Sequence, residues 1–173
     1  MCRQVMTAGS AVELTEALER HGTHPCVGGG WGIDALLSRQ TLDHFDLDLW
    51  LPATELELSF RAFAGRGLDR ILPRSGDRPW NFVLHDGAQR CVDLHLYESL
   101  SDGSIHYGRA IDGYHFPAAA LEGRGMIAGI RVRCEAPEWA LRWRTGYAIR
   151  DDDRHDVSLL CTTFGLDLPN AYR

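Results

Sequence analysis

Lysine is absent from this 173-residue sequence: all 18 basic residues are arginine. That absence excludes Schiff-base chemistry and the lysine-bearing phosphate loop. Any phosphate charge must be met by arginine, a metal ion or backbone N–H groups. A GC-rich genome produces the same bias without any functional meaning. Also missing are an apolar run of the ~18 residues a membrane span needs and a basic-then-apolar leader, so the expectation is a soluble, cytoplasmic chain. Cysteine is sparse and scattered: Cys2, Cys26, Cys91, Cys134 and Cys161 form no CxxC pair, and HExxH does not occur. The spacing indicates neither a disulfide framework nor a zinc site, and the five are expected as reduced small hydrophobes. With a net charge of -6, the chain lacks the cationic surface on which general nucleic-acid binding rests. The excess of acid suits a bound metal or a cationic small molecule, and equally a solvated acidic surface.

The length suits one domain over residues 1–173, with a core at about 10–100 and C-terminal strands and helices at about 110–167. Ser10 and Glu13 form a capping-box signal for a helix over 10–21. A second helix is expected over 31–40 and a third over 53–64, with a short strand at 68–72. Asp86-Gly87 separates two alternating stretches, 80–85 and 89–97, and predicts a hairpin. Residues 99–113 read as a loop, 114–116 and 127–134 as strands. Pro137 opens a helix to about 145, and three acids, Asp151 to Asp153, open the last one. The layout is α+β: a mixed sheet flanked by helices, with a C-terminal helical segment.

The stretch Gly28–Leu51 carries the chemistry. A glycine-rich turn opens a helix, and a strand follows in which Asp46, Asp48 and Trp50 share one face while Phe45, Leu47, Leu49 and Leu51 share the other. Two carboxylates ~6.5 Å apart on one strand face repel unless a cation lies between them. Asp93, between Val92 and Leu94, adds a third acid on the polar face of a second strand. Three carboxylates on adjacent strands can hold two Mg²⁺ ions for in-line phosphoryl or nucleotidyl transfer, or Asp93 can take the proton of an attacking hydroxyl. His44 and His95 lie near these acids and are second-tier candidates, each equally readable as a structural histidine. The glycines admit three readings: backbone N–H groups for a triphosphate, a loose GxGxxA dinucleotide fingerprint over Gly30–Ala35, or a turn that lets the helix pack closely.

Gly29-Gly30-Trp31 through Asp46-Leu47-Asp48 resembles the signature of antibiotic nucleotidyltransferases of the polymerase-β-like superfamily, the small lincosamide enzymes above all and the aminoglycoside enzymes more distantly. Pro137-Glu138-Trp139, Thr145-Gly146-Tyr147, Asp156-Val157 and Leu160-Cys161 to Phe164-Gly165 resemble that group's C-terminal pattern. The resemblance implies the polymerase-β-like nucleotidyltransferase fold. It implies transfer of a nucleoside monophosphate, usually AMP from ATP, to a hydroxyl of a small molecule such as a lincosamide or aminoglycoside, with release of pyrophosphate. It assigns Asp46, Asp48 and Asp93 to Mg²⁺ and catalysis, with Gly29, Gly30, Trp31 and Thr41 at the nucleotide, where Arg39 is added as a candidate basic group. No nucleic-acid or membrane partner is implied, and a homodimer stays open. Two positions depart from the pattern. Leu42 and Asp43 follow Thr41 where the family has arginine, and Arg144 replaces a histidine before Thr145; Arg39 or Arg144 is the candidate to restore the charge. The alternative from another class is a non-catalytic nucleotidyltransferase-like antitoxin or regulatory binding module.

Overall fold

The computed structural model describes residues 4–173. Helix α1 (Ala8–Arg20) buries Ala11, Leu14, Ala17 and Leu18. Thr7, not Ser10, is its N-cap: the Thr7 hydroxyl accepts from the Ser10 N–H at 3.1 Å. The two-residue β1 (Cys26–Val27) leads straight into α2 (Gly29–Leu37), which Ser38 ends in the left-handed conformation. Next come β2 (Leu47–Pro52), α3 (Leu56–Ala64), β3 (Arg70–Leu72), β4 (Asn81–His85) and β5 (Cys91–Ser99). The C-terminal part adds β6 (Ser104–Tyr107), β7 (Tyr114–Pro117), β8 (Gly123–Ile127), β9 (Ile130–Cys134), α4 (Pro137–Trp143) and α5 (Asp151–Phe164).

The strands form one nine-stranded mixed sheet in the order β3-β4-β5-β2-β1-β9-β8, with β6 and β7 attached beyond β5. β2 runs parallel to β5, and β1 is antiparallel to β2 but parallel to β9. Alternation sends Leu47, Leu49 and Leu51 of β2, and Val92, Leu94 and Leu96 of β5, into the main core with Leu14, Leu18, Ala62 and Phe63. Each such side chain, once buried, contributes about 1.5–3 kcal/mol. The opposite face is left to Asp48, Trp50, Asp93 and His95. α2 is apolar on two sides: Trp31 and Ala35 join the main core, while Ile33 packs with Ala140, Leu141, Val157 and Leu160 of the C-terminal helices. No helix among the described residues is long and apolar enough to cross a membrane.

Five expectations change. Asp46 does not belong to the strand, which begins at Leu47. The reason is tertiary: the Met6 N–H donates to the His44 carbonyl at 2.8 Å, so the chain pairs there first and bends before entering the sheet. Phe45, expected on the face of Leu47, Leu49 and Leu51, does not share their burial and is 47% exposed. Residues 127–134 are not one strand but the end of β8, a turn and β9; Ala128 (φ 49°) and Gly129 (φ 80°) are both left-handed, as a tight primed turn requires. The expected loop after residue 99 contains β6, which pairs with β7. Finally, Cys26, Cys134 and Cys161 are free thiols, whereas Cys91 is disulfide-bonded, so not all five cysteines are reduced.

Candidate active site

The parallel register between β2 and β5 sets Asp48 opposite Asp93 and Trp50 opposite His95. Asp48, Asp93 and His95 each present a ligand atom within 4.8 Å of the other two. Carboxylate oxygens in this number suit a hard divalent cation such as Mg²⁺ or Mn²⁺, so the donor set fits the expected metal. Asp46, two residues before Asp48, lies outside that triple but within its field. Burial, then the charges of Asp48 and Asp93, push the Asp46 carboxyl up to about 7. At Asp48 burial acts the same way, but His95 reverses it: His95 Nε2 stands 3.3 Å from Asp48 Oδ1 and holds that carboxyl below its usual range. Burial disfavours charge on His95 in turn, and the same contact with Asp48 overcomes it, raising the imidazole pKa.

Asp93 is enclosed by donors. Arg74, in the loop between β3 and β4, bonds it bidentately, Nη1 to Oδ2 at 2.7 Å and Nη2 to Oδ1 at 3.2 Å. Asn81 Nδ2 donates to Oδ1 at 2.7 Å. Arg74 is itself aimed by Asp77, which accepts from its Nε at 2.9 Å and its backbone N–H at 2.8 Å.

The glycine turn closes the site from the α2 side. Gly29 adopts φ 58°, and a Cβ there would collide with the Asp48 carboxylate; a Cβ on Gly30 would collide with the His44 ring. Close packing therefore accounts for both glycines. The N-cap Gly28 supplies no side-chain acceptor, so the first-turn N–H groups of α2 have no capping side chain. Behind the turn, buried Asp34 binds the loop to β2: it accepts from the Thr41 N–H at 2.9 Å and hydroxyl at 2.8 Å, and its Oδ2 lies 2.5 Å from His44 Nε2.

A cavity of about 550 Å³ opens from Gly29 and Asp48, within the size range of small-ligand sites. One wall is aromatic. Trp50 stacks on Trp143 (centroids 4.9 Å, 28° between planes) and on His95 (4.8 Å, 28°), with Tyr107 and Phe116 edge-on. Trp50 is fixed by its Nε1–H, which donates to Glu135 Oε1 at 2.6 Å. Burial pushes the Glu135 carboxyl up to about 7, against the opposing hydrogen bond from Trp50. Arg142 and Arg144 line the same cavity. Arg144 also ties α4 to α5 through Asp156 Oδ2 (3.1 Å) and the Tyr147 hydroxyl (3.2 Å).

Gly29, Asp48, His95 and Arg144 thus line one cavity, Asp93 stands beside Asp48 and His95, and Asp46 lies within their field. Thr41 and His44 are engaged with Asp34 behind the turn, and the Trp31 side chain is buried in the core. Arg39 is exposed and borders a different crevice, with Ala8, Trp31 and Met126. Arg74, Asn81, Glu135 and Trp143 carried no sequence signal of their own, while Trp50 was placed only on the face of the acids. Asp34 did carry one, as a lone acid within an apolar helix.

Similarity to known proteins gives the family. The profile of the aminoglycoside-2''-adenylyltransferase family matches residues 11–160. The chain belongs to that family. It is a nucleotidyltransferase, not the non-catalytic module. The 2''-aminoglycoside nucleotidyltransferases of Escherichia coli and Klebsiella pneumoniae are 30% identical over 158 residues, covering 85% of this chain and 81% of theirs. Among solved structures, the lincosamide antibiotic adenylyltransferase LnuA with lincomycin bound superposes with a TM-score of 0.78 at 21% identity, over 91% of this chain and 98% of its own. ANT(2")-Ia in complex with adenylyl-2"-tobramycin gives 0.72 at 21%, over 91% and 89%. These superpositions establish the nucleotidyltransferase fold expected from the sequence.

Proposed function

We propose that this enzyme moves AMP from ATP, with Mg²⁺, onto a hydroxyl of a small antibiotic of the aminoglycoside or lincosamide type. The observation that carries the reading is the same-face register of Asp48 and Asp93 beside the Gly29 turn, at the mouth of the aromatic cavity. Asp46, Asp48 and Asp93, with His95 at the edge, would hold two Mg²⁺ ions; bound there, the cations supply charge neutralisation at the reacting phosphate. The first-turn N–H groups of α2 receive phosphate oxygens, adding the partial positive charge of a helix start. Arg144, and not the outward Arg39, offers the fixed positive charge that Leu42 and Asp43 do not. Asp93 accepts the proton of the acceptor hydroxyl, and Trp50 and Trp143 provide flat faces for a base or sugar ring. Consumption of ATP fits a cytoplasmic setting.

The test is mass-spectrometric. The protein is incubated with ATP, Mg²⁺ and a panel of aminoglycosides and lincosamides, and an acceptor is identified by the mass gain of AMP. Absence of any adduct across the panel would remove the antibiotic reading.

A further inference from the structure

The least expected group at the site is Arg74. Its guanidinium covers both oxygens of Asp93, and those are the atoms that a divalent cation or an acceptor proton would need. It also lies close enough for its charge to act on Asp46 and Asp48. One cation therefore already stands at the acid cluster of a chain whose three carboxylates would otherwise repel. The fork takes one lone pair on each oxygen and Asn81 Nδ2 takes a second on Oδ1, so of the carboxylate's roughly four acceptor sites only one, on Oδ2, stays open to a metal, beside a fixed positive charge.

The geometry points to Arg74 as a latch on Asp93: guanidinium and divalent cation compete for the same carboxylate, so Arg74 opposes loading of the metal, and coordination through both Asp93 oxygens requires the fork to open. This rests on the metal-dependent reading above. Arg74 is suited to leaving. It lies on a loop, its side chain is 32% exposed, and Asp77 retains the Nε and the backbone N–H when the two Nη groups are released. Freed in that position, the Nη groups remain beside the reacting phosphates, where this chain has no lysine and has Leu42-Asp43 in place of an arginine. Arg74 is a positioning residue that governs when Asp93 becomes available.

Mn²⁺ binding without nucleotide, followed by electron paramagnetic resonance of the free ion, tests this on the intact chain. Arg74→Met keeps the aliphatic stem and removes the competing charge. It should bind Mn²⁺ about tenfold more tightly than the parent, the scale of a lost charge-assisted hydrogen-bond pair. Arg74→Lys, which keeps the charge but not the fork, should fall between the two. In the parent, the Arg74 Nε–H resonance, assigned by its loss in Arg74→Met, should shift as Mg²⁺ is added. Equal Mn²⁺ affinity in parent and Arg74→Met, with Asp93→Asn weaker than both, overturns the latch and leaves the metal site standing. Asp93→Asn binding Mn²⁺ like the parent removes Asp93 from the metal site and the latch with it. Thermal unfolding of each variant confirms that folded protein is being compared.

Discussion

Asp48 on β2 and Asp93 on β5 are register partners, two like charges facing each other across a parallel strand pair. Facing like charges destabilise a sheet, and here the aliphatic ladder on the other face holds the strands together. Asp48→Asn keeps the shape and removes a ligand. Turnover, measured as pyrophosphate release, should fall by about two orders of magnitude or more, with the far-UV spectrum unchanged. Activity within about tenfold of the parent would argue that Asp48 is not a ligand.

Asp46 offers a sharper signature. Its carboxyl is raised from 3.8 to about 7, so the folded state binds a proton that the unfolded state gives up earlier. That contribution to stability is complete below about pH 4 and is lost as pH rises through about 7. Asp46→Asn should accordingly raise the melting temperature at pH 8 in EDTA and leave it nearly unchanged at pH 4, while nearly abolishing turnover. A lower melting temperature at pH 8 would contradict the repulsion described here.

Glu135 follows the same sign, and burial again leads. Burial raises it from 4.5 to about 7, so its stabilising effect fades between those two pH values. Glu135→Gln preserves an acceptor for Trp50 Nε1 and removes the titration. The stability difference, variant minus parent, should grow with pH by up to about 1.4 kcal/mol per unit across that window. Urea unfolding at pH 4.5 and pH 8 reads it directly, and a flat difference would mean Glu135 is ionised freely.

The glycine turn can be tested against an internal control. Gly22 has φ 79° with open space around its missing Cβ, whereas Gly29 has φ 58° and faces the Asp48 carboxylate. Gly22→Ala should lose about 1 kcal/mol through backbone strain alone and keep its activity. Gly29→Ala should lose more and displace Asp48, lowering kcat as well. Equal behaviour of the two in unfolding and kinetics would mean the turn is not fitted to Asp48.

Local signals were legible in the chain. The Asp86-Gly87 turn, the Leu47-Leu49-Leu51 alternation and the acids at the start of α5 each act over a few residues, and each marks its element. The β8–β9 turn escaped because Ala128 lacks the bias towards left-handed backbone that asparagine would bring. Asp46 was misplaced because the Met6–His44 bridge joins distant segments. Asp48 and Asp93 were found because their chemistry is explicit in residue type, while Arg74 and Glu135 take their meaning from partners 19 and 85 residues away.

β5 has two neighbours close in sequence, β4 and β6, and one far away. It pairs antiparallel with β4 across the five-residue loop 86–90, but parallel with β2, which is separated from it in the chain by α3, β3 and β4. Hairpins close in microseconds, and parallel long-range pairings come later. The folding order that follows gives Asp93 its companions Arg74 and Asn81 from the hairpin side before Asp48 arrives. The acid pair is completed in the closing step of assembly, so divalent ions or polyamines in a refolding buffer act on the late stage of folding and leave the early one untouched.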